Sequence, residues 1–141
     1  MTSLVSVESS SSVPRRAARW AALAFVLPAA GFGLPTPLVL DHLRRTGELP
    51  MTPFGFRSHA GPFEAVGPEG FQVLGWTLVA VCLLDALAGF WLWQGRRRGA
   101  RLGVALTPAT LALALGFAFP FLLAAIPVRL VLVAVARRGL R

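Results

Sequence analysis

FQVLGWTLVAVCLLDALAGFWLWQ, residues 71–94, runs into GRRRGAR, residues 95–101, and then into a second apolar run that opens at Leu102. Apolar, basic, apolar is the pattern of two membrane helices joined by a short cytoplasmic loop, because arginine-rich loops are retained on the cytoplasmic side. The first run has 24 residues. As a helix it would be about 36 Å long, more than the ~30 Å hydrocarbon core, so a tilted span is expected. Trp91 and Trp93 lie at its basic end, the level at which amphipathic rings settle into the interface.

Composition agrees with that hairpin. Hydrophobic residues make up 55% of the 141 and charged residues only 14%, where a soluble domain carries about 25%. A soluble fold of this length could not hide so much apolar surface. All 14 basic residues are arginines, and the formal charge is +8. Such a charge raises the question of nucleic acid, but the arginines sit at the ends of apolar runs, where topology alone accounts for them. The expected partner is therefore the lipid bilayer and not nucleic acid. Cys82 is the single cysteine, which excludes an intramolecular disulfide and a CxxC redox centre.

Working outward toward the N-terminus, residues 1–14 are polar and carry Ser6 and Ser9–Ser12, a composition expected of a disordered tail. Arg15, Arg16 and Arg19 then precede an apolar stretch over residues 20–40. That stretch is longer than the roughly 7–15 residues of a signal-peptide core, and no A-x-A site follows it, so an uncleaved first span is expected. Pro28, Gly31, Gly33, Pro35 and Pro37 interrupt it. Thr36-Pro37 reads as an N-cap and first helical position, with Gly47 as a stop. One helix then ends near Leu34 and a second runs from Pro37 to Thr46. A kinked helix leaving the membrane is the simpler reading; a broken helix lining a site is the sharper one.

Residues 41–70 form the long connection, too long to be structureless. They hold Asp41, His42, His59 and Glu64, which have the residue types of a metal site or an acid–base catalyst but match no known spacing. The phenylalanines Phe54, Phe56 and Phe63 are expected to dip into the interface or cover the mouth of the helices. Gly67-Pro68-Glu69 reads as the start of the second span, with proline at the first helical position and an acid in the first turn.

On the other side of the basic knot, Leu102–Ala136 is a 35-residue apolar stretch, about 52 Å as a single helix and too long for one crossing. A hairpin turning near Gly116–Pro120 divides it into spans over residues 102–118 and 119–136. Arg137, Arg138 and Arg141 then return to the side of the knot. The N-terminal group, the knot (Arg96, Arg97, Arg98, Arg101) and the tail together hold ten arginines, against Arg44, Arg45 and Arg57 in residues 41–70. The expected fold is an all-α integral membrane protein. A single membrane domain, residues 15–141, forms a four-transmembrane-helix bundle with both termini cytoplasmic and a long extracytoplasmic loop between the first two spans. The expected location is the plasma membrane.

Two charges fall inside spans, Asp85 and Arg129. A charge at membrane depth costs at least ~2.5–3.5 kcal/mol on insertion scales and needs a partner or a wet cavity. Asp85 lies about 14 Å along its helix from Gln94, and Arg129 about 12 Å from Arg137. Thr110 stands at a similar distance from Arg101, with Thr107 on its face. A polar layer of Asp85, Arg129, Thr110 and Thr107 is expected, either as a structural pair that sets helix register or as a pathway for protons, ions or a polar solute. In a third arrangement Arg129 reaches toward the headgroups and Asp85 stays protonated.

No motif names a reaction or a cofactor. Four-helix haem carriers need histidine pairs inside the membrane, and neither histidine lies in a span here. The expected role is non-enzymatic: an accessory or interaction subunit, working with a second copy or another membrane protein. A transporter or channel subunit using Asp85 and Arg129 is the alternative, and an enzyme built on the outer loop comes third.

Overall fold

The computed structural model describes residues 5–140, and of residues 5–12 and 14 the backbone alone. Among the described residues the regular structure is helical, with no strands. Its elements are α1 (Val5–Gly33), α2 (Thr36–Thr46), α3 (Gly67–Trp93), α4 (Arg97–Gly116) and α5 (Pro120–Ala136), with single 3₁₀ turns at Pro62–Val66 and Arg137–Gly139. Four helical stretches are long and apolar enough to cross a membrane: Arg15–Thr46, Pro62–Trp93, Arg97–Gly116 and Pro120–Gly139.

Helix α1 reaches back to Val5, through much of the segment expected as a disordered tail; residues 1–4 lie outside the described residues. Extending an existing helix is far easier than nucleating one, so a serine-rich stretch can continue it. The break between α1 and α2 falls at Leu34-Pro35. Its cause is covalent. Pro35 and Pro37 lack the N–H groups that would bond the carbonyls of Gly31 and Gly33. Thr36 does not act as the N-cap of α2, a position held by Pro35. Its hydroxyl instead turns back to the Phe32 carbonyl, bridging the break. Gly47 ends α2 as expected of a stop residue, at φ 75° with its N–H donated to the Leu43 carbonyl at 2.8 Å.

The basic knot is less of a loop than its sequence suggests. The Arg96 N–H bonds the Trp91 carbonyl and the Gly95 N–H bonds that of Leu92, the paired closure of a Schellman motif with Gly95 in the left-handed position. This turn finishes α3 within a few residues, and Arg97, Arg98, Ala100 and Arg101, good helix formers, wind into α4 despite Gly99 between them. The same motif closes α4: Phe119 N–H bonds Ala114 and Ala118 N–H bonds Leu115. There the left-handed residue is Ala118, at φ 51°.

The four long helices form a closed ring of contacts, α1 on α3 and α5, and α4 on α3 and α5, with α2 laid against α3. Helix α1 contributes a face of small residues, with Ala17, Ala18, Ala21, Ala22 and Ala29 buried. Small side chains let helix backbones approach closely where burial of apolar surface does not drive association. The core divides into two apolar clusters. One, at the arginine end, gathers Phe25, Ala88, Leu92, Ala100, Val133 and Ala136 around that alanine face. The other, at the opposite end, gathers Leu40, Phe71, Leu78, Cys82, Leu113 and Phe117.

Candidate functional site

Three buried polar residues, each on a different helix, meet within this apolar core. Asp85 comes from α3, Thr110 from α4 and Arg129 from α5. Their exposures are 4%, 2% and 2%, so none reaches the surface. Arg129 Nη1 lies 3.0 Å from Asp85 Oδ2, a direct ion pair. The Thr110 hydroxyl donates toward the same oxygen at 3.3 Å and lies 3.0 Å from the Leu106 carbonyl, so its one proton is shared. Helix α1 closes the group from the fourth side: the Arg129 guanidinium carbon sits 4.7 Å from the centre of the Phe25 ring, within the range of a cation–π contact.

Local sequence explains the fit. Gly103 on α4 borders the Phe25 ring, which a β-carbon at that position would meet, and Gly89, one turn after Asp85, lies against Val26 and the Ala22 carbonyl of α1. Gly103 thus clears the volume for the ring that lies over the guanidinium, and Gly89 lets α1 approach α3 closely. Asp85 Oδ1, Arg129 Nε and Arg129 Nη2 are buried without a hydrogen-bond partner. The pair therefore neutralises charge while leaving three of its five side-chain nitrogen and oxygen atoms without a partner, a costly arrangement in a medium of low dielectric constant.

Thr107 shares the Thr110 face but takes no part in this group; its hydroxyl bonds the Gly103 carbonyl at 3.0 Å. Phe25 is the participant that sequence reasoning missed. An aromatic residue in an apolar run carries no polar signal, and only the small residues on the facing helices mark where it lands.

The candidates of residues 41–70 do not assemble. Asp41 pairs with Arg45 on the surface of α2. Glu64 accepts the Gly61 N–H and lies 3.6 Å from Arg57. His42 is exposed, and His59 is buried. Among the described residues no three His, Cys, Asp or Glu side chains stand close enough to share a metal ion.

His59 instead forms part of the seal over the helix ends. Its ring packs edge-on against Phe119 and Phe117, with Phe63 and Phe71 also on Phe117. Phe63 therefore covers the mouth, whereas Phe54 and Phe56 stay exposed. Because the Thr36 hydroxyl proton goes to Phe32, its oxygen faces His59 Nε2, 2.9 Å away, as an acceptor. That places the ring proton on Nε2 and leaves Nδ1 to accept from Ser58, at 2.8 Å. Burial disfavours the charged imidazolium and pushes the His59 pKa down from 6.5 to about 4.

The arginines read as anchors gather at one end. Arg15, Arg16 and Arg19 are exposed on α1, with Arg19 over the Trp93 ring; Arg96, Arg97, Arg98, Arg101, Arg137 and Arg138 are exposed around the α3–α4 turn and the end of α5. Arg97 Nε donates to the Leu140 carbonyl at 2.9 Å, which ties the start of α4 to the tail. Comparison with protein-family models, with curated proteins and with solved structures found no match to this chain.

Proposed function

We propose that the chain is a four-span bundle of the plasma membrane, both termini cytoplasmic and residues 41–70 outside, acting as a non-enzymatic accessory or interaction subunit. The gathering of the arginines at one end supports the orientation, since positively charged segments are retained in the cytoplasm. One observation carries the functional reading: the buried charges spend themselves on each other beneath Phe25, so the core serves as a clasp between helices. The surface left for function is the apolar exterior, where Trp20, Leu27, Trp76, Leu83 and Phe121 are exposed. Such a surface meets lipid or another membrane protein.

Mass spectrometry of the chain extracted in native lipid tests this reading. The expected result is a complex of fixed stoichiometry, with a second copy or a different membrane protein. A strictly monomeric chain that moves protons or solutes across liposomes would overturn it.

The unpartnered Asp85 Oδ1, Arg129 Nε and Arg129 Nη2 favour a second reading. These atoms could bond a passing water or polar solute, as intramembrane charges do in transport pathways. Under that reading, liposomes holding the protein show a flux that Asp85→Asn abolishes without loss of folded protein.

A further inference from the structure

At the arginine end, Arg97 and Arg101 of α4 and Arg137 after α5 surround a notch of about 420 Å³ floored by Ala100 and Leu140. The two floor residues are buried, while the three guanidinium groups are exposed around them. The notch is built as well as basic: the Arg97 Nε bond to the Leu140 carbonyl fixes that side chain and does not use its two terminal nitrogens. Guanidinium groups held this way suit the planar, two-point recognition of phosphate.

The start of α4 is also electrostatically unusual. A helix N-terminus carries partial positive charge and is stabilised by acids. Here the N-cap is Arg96, no side chain caps the helix and no acid stands in the first turn. Arg97, Arg98 and Arg101 add positive charge where positive charge is least favourable. Among the described residues, the ion pairs lie elsewhere, at Asp41, Glu64 and Asp85. A departure of this kind from local helix chemistry is expected where a ligand supplies the missing charge.

We propose that this notch binds the phosphate of an anionic phospholipid headgroup. Two features select a lipid over a soluble phosphate. The notch lies at the end of two apolar helices long enough to cross a membrane. Within two turns along those helices, Val104, Val131 and Val135 are exposed, apolar surface of the kind that acyl chains cover. The inference requires the chain to lie in a bilayer, and holds equally for an interaction subunit and a conducting one.

The test uses the full chain in neutral detergent, titrated with phosphatidylglycerol or phosphatidylcholine and read by native mass spectrometry. Phosphatidylglycerol should be retained in preference, one molecule per chain. Replacing Arg97, Arg101 and Arg137 together by glutamine should weaken its retention by about a hundredfold, from an attraction worth about fivefold per arginine. A control with Arg15, Arg16 and Arg19 replaced by glutamine removes the same charge from arginines that do not line the notch and should weaken retention far less than the notch variant. Arg101→Gln alone spares the Arg97–Leu140 bond; a measurable loss in this variant supports the site even where the triple variant folds poorly. Equal losses in notch and control variants would overturn the proposal in favour of diffuse attraction. Displacement of the lipid by an equal concentration of inorganic phosphate would overturn it in favour of a soluble anion.

Discussion

His59 and Asp85 are both polar groups buried in this helical protein, and they are accommodated in opposite ways. His59, at the loop end, has a partner on each ring nitrogen and aromatic rings against its faces and edges. It is held neutral by burial, and nothing polar in its ring is left over. Asp85, in the middle of the core, is paired with Arg129 through one oxygen, and three atoms of the pair remain without a partner. The first arrangement is a lock. The second joins α3, α4 and α5 through a single carboxylate oxygen. The difference is one of satisfaction: His59 leaves no polar ring atom without a partner, whereas the ion pair leaves three.

The comparison breaks most sharply at the ion pair. Asp85→Ala leaves the Arg129 charge buried and alone, and should cost about 3–5 kcal/mol in unfolding measured in detergent. Asp85→Leu combined with Arg129→Met removes both charges and should recover most of that loss. Recovery of stability with loss of function would separate the chemistry of the pair from its structural part. A double variant as unstable as the single one would show that the pair is not a unit.

A smaller effect, confined to His59, should appear as a pH dependence. Its folded pKa of about 4 lies below the ordinary 6.5. Between those values the unfolded chain binds a proton that the folded chain does not. The stabilising contribution is therefore complete above pH 6.5 and is lost as pH falls toward 4, by about 3 kcal/mol in total. Comparing unfolding midpoints of the parent and His59→Gln across this range isolates the effect; the variant should lack that part of the slope. Hydrogen-exchange protection factors in residues 47–61, taken against the intrinsic rate at each pH, should fall over the same range in the parent alone. Identical slopes would mean that the ring is wetter than the structure indicates.

The smallest expected change sharpens the partition within the polar group. Thr110→Val removes a hydroxyl shared between Asp85 and Leu106, and should cost about 1 kcal/mol. Thr110→Ser should restore most of it. A cost several times larger would mean that Thr110 carries the pair and does not merely assist it.

Much of the architecture was legible because a membrane span is written in one dimension. Apolar runs, arginine clusters and Gly95 mark spans and turns without reference to any other part of the chain. Proline at 35 and 37 similarly predicts the break after α1, since the missing N–H groups are covalent facts. The meeting of Asp85, Thr110 and Arg129 could also be anticipated, because helix rise converts residue counts from the basic turns into depth. The fate of the loop residues could not. Asp41, His42, His59 and Glu64 look alike as candidate ligands in sequence, yet one is buried under phenylalanines and two are spent on nearby arginines. Nothing in their spacing distinguishes them, because their neighbours come from other segments.

The sequence by itself therefore determined the four long apolar helices, the turns between them, the end at which arginine collects and the common level of Asp85, Thr110 and Arg129 along those helices. Each follows from local composition or from the fixed geometry of a helix. Only the tertiary structure decided that Phe25 of α1 closes over Arg129, that Gly103 makes room for its ring and that three atoms of the pair are left without a partner. Those outcomes depend on how four helices rotate against one another. That rotation is set by packing summed over the whole core, which no single stretch of residues encodes.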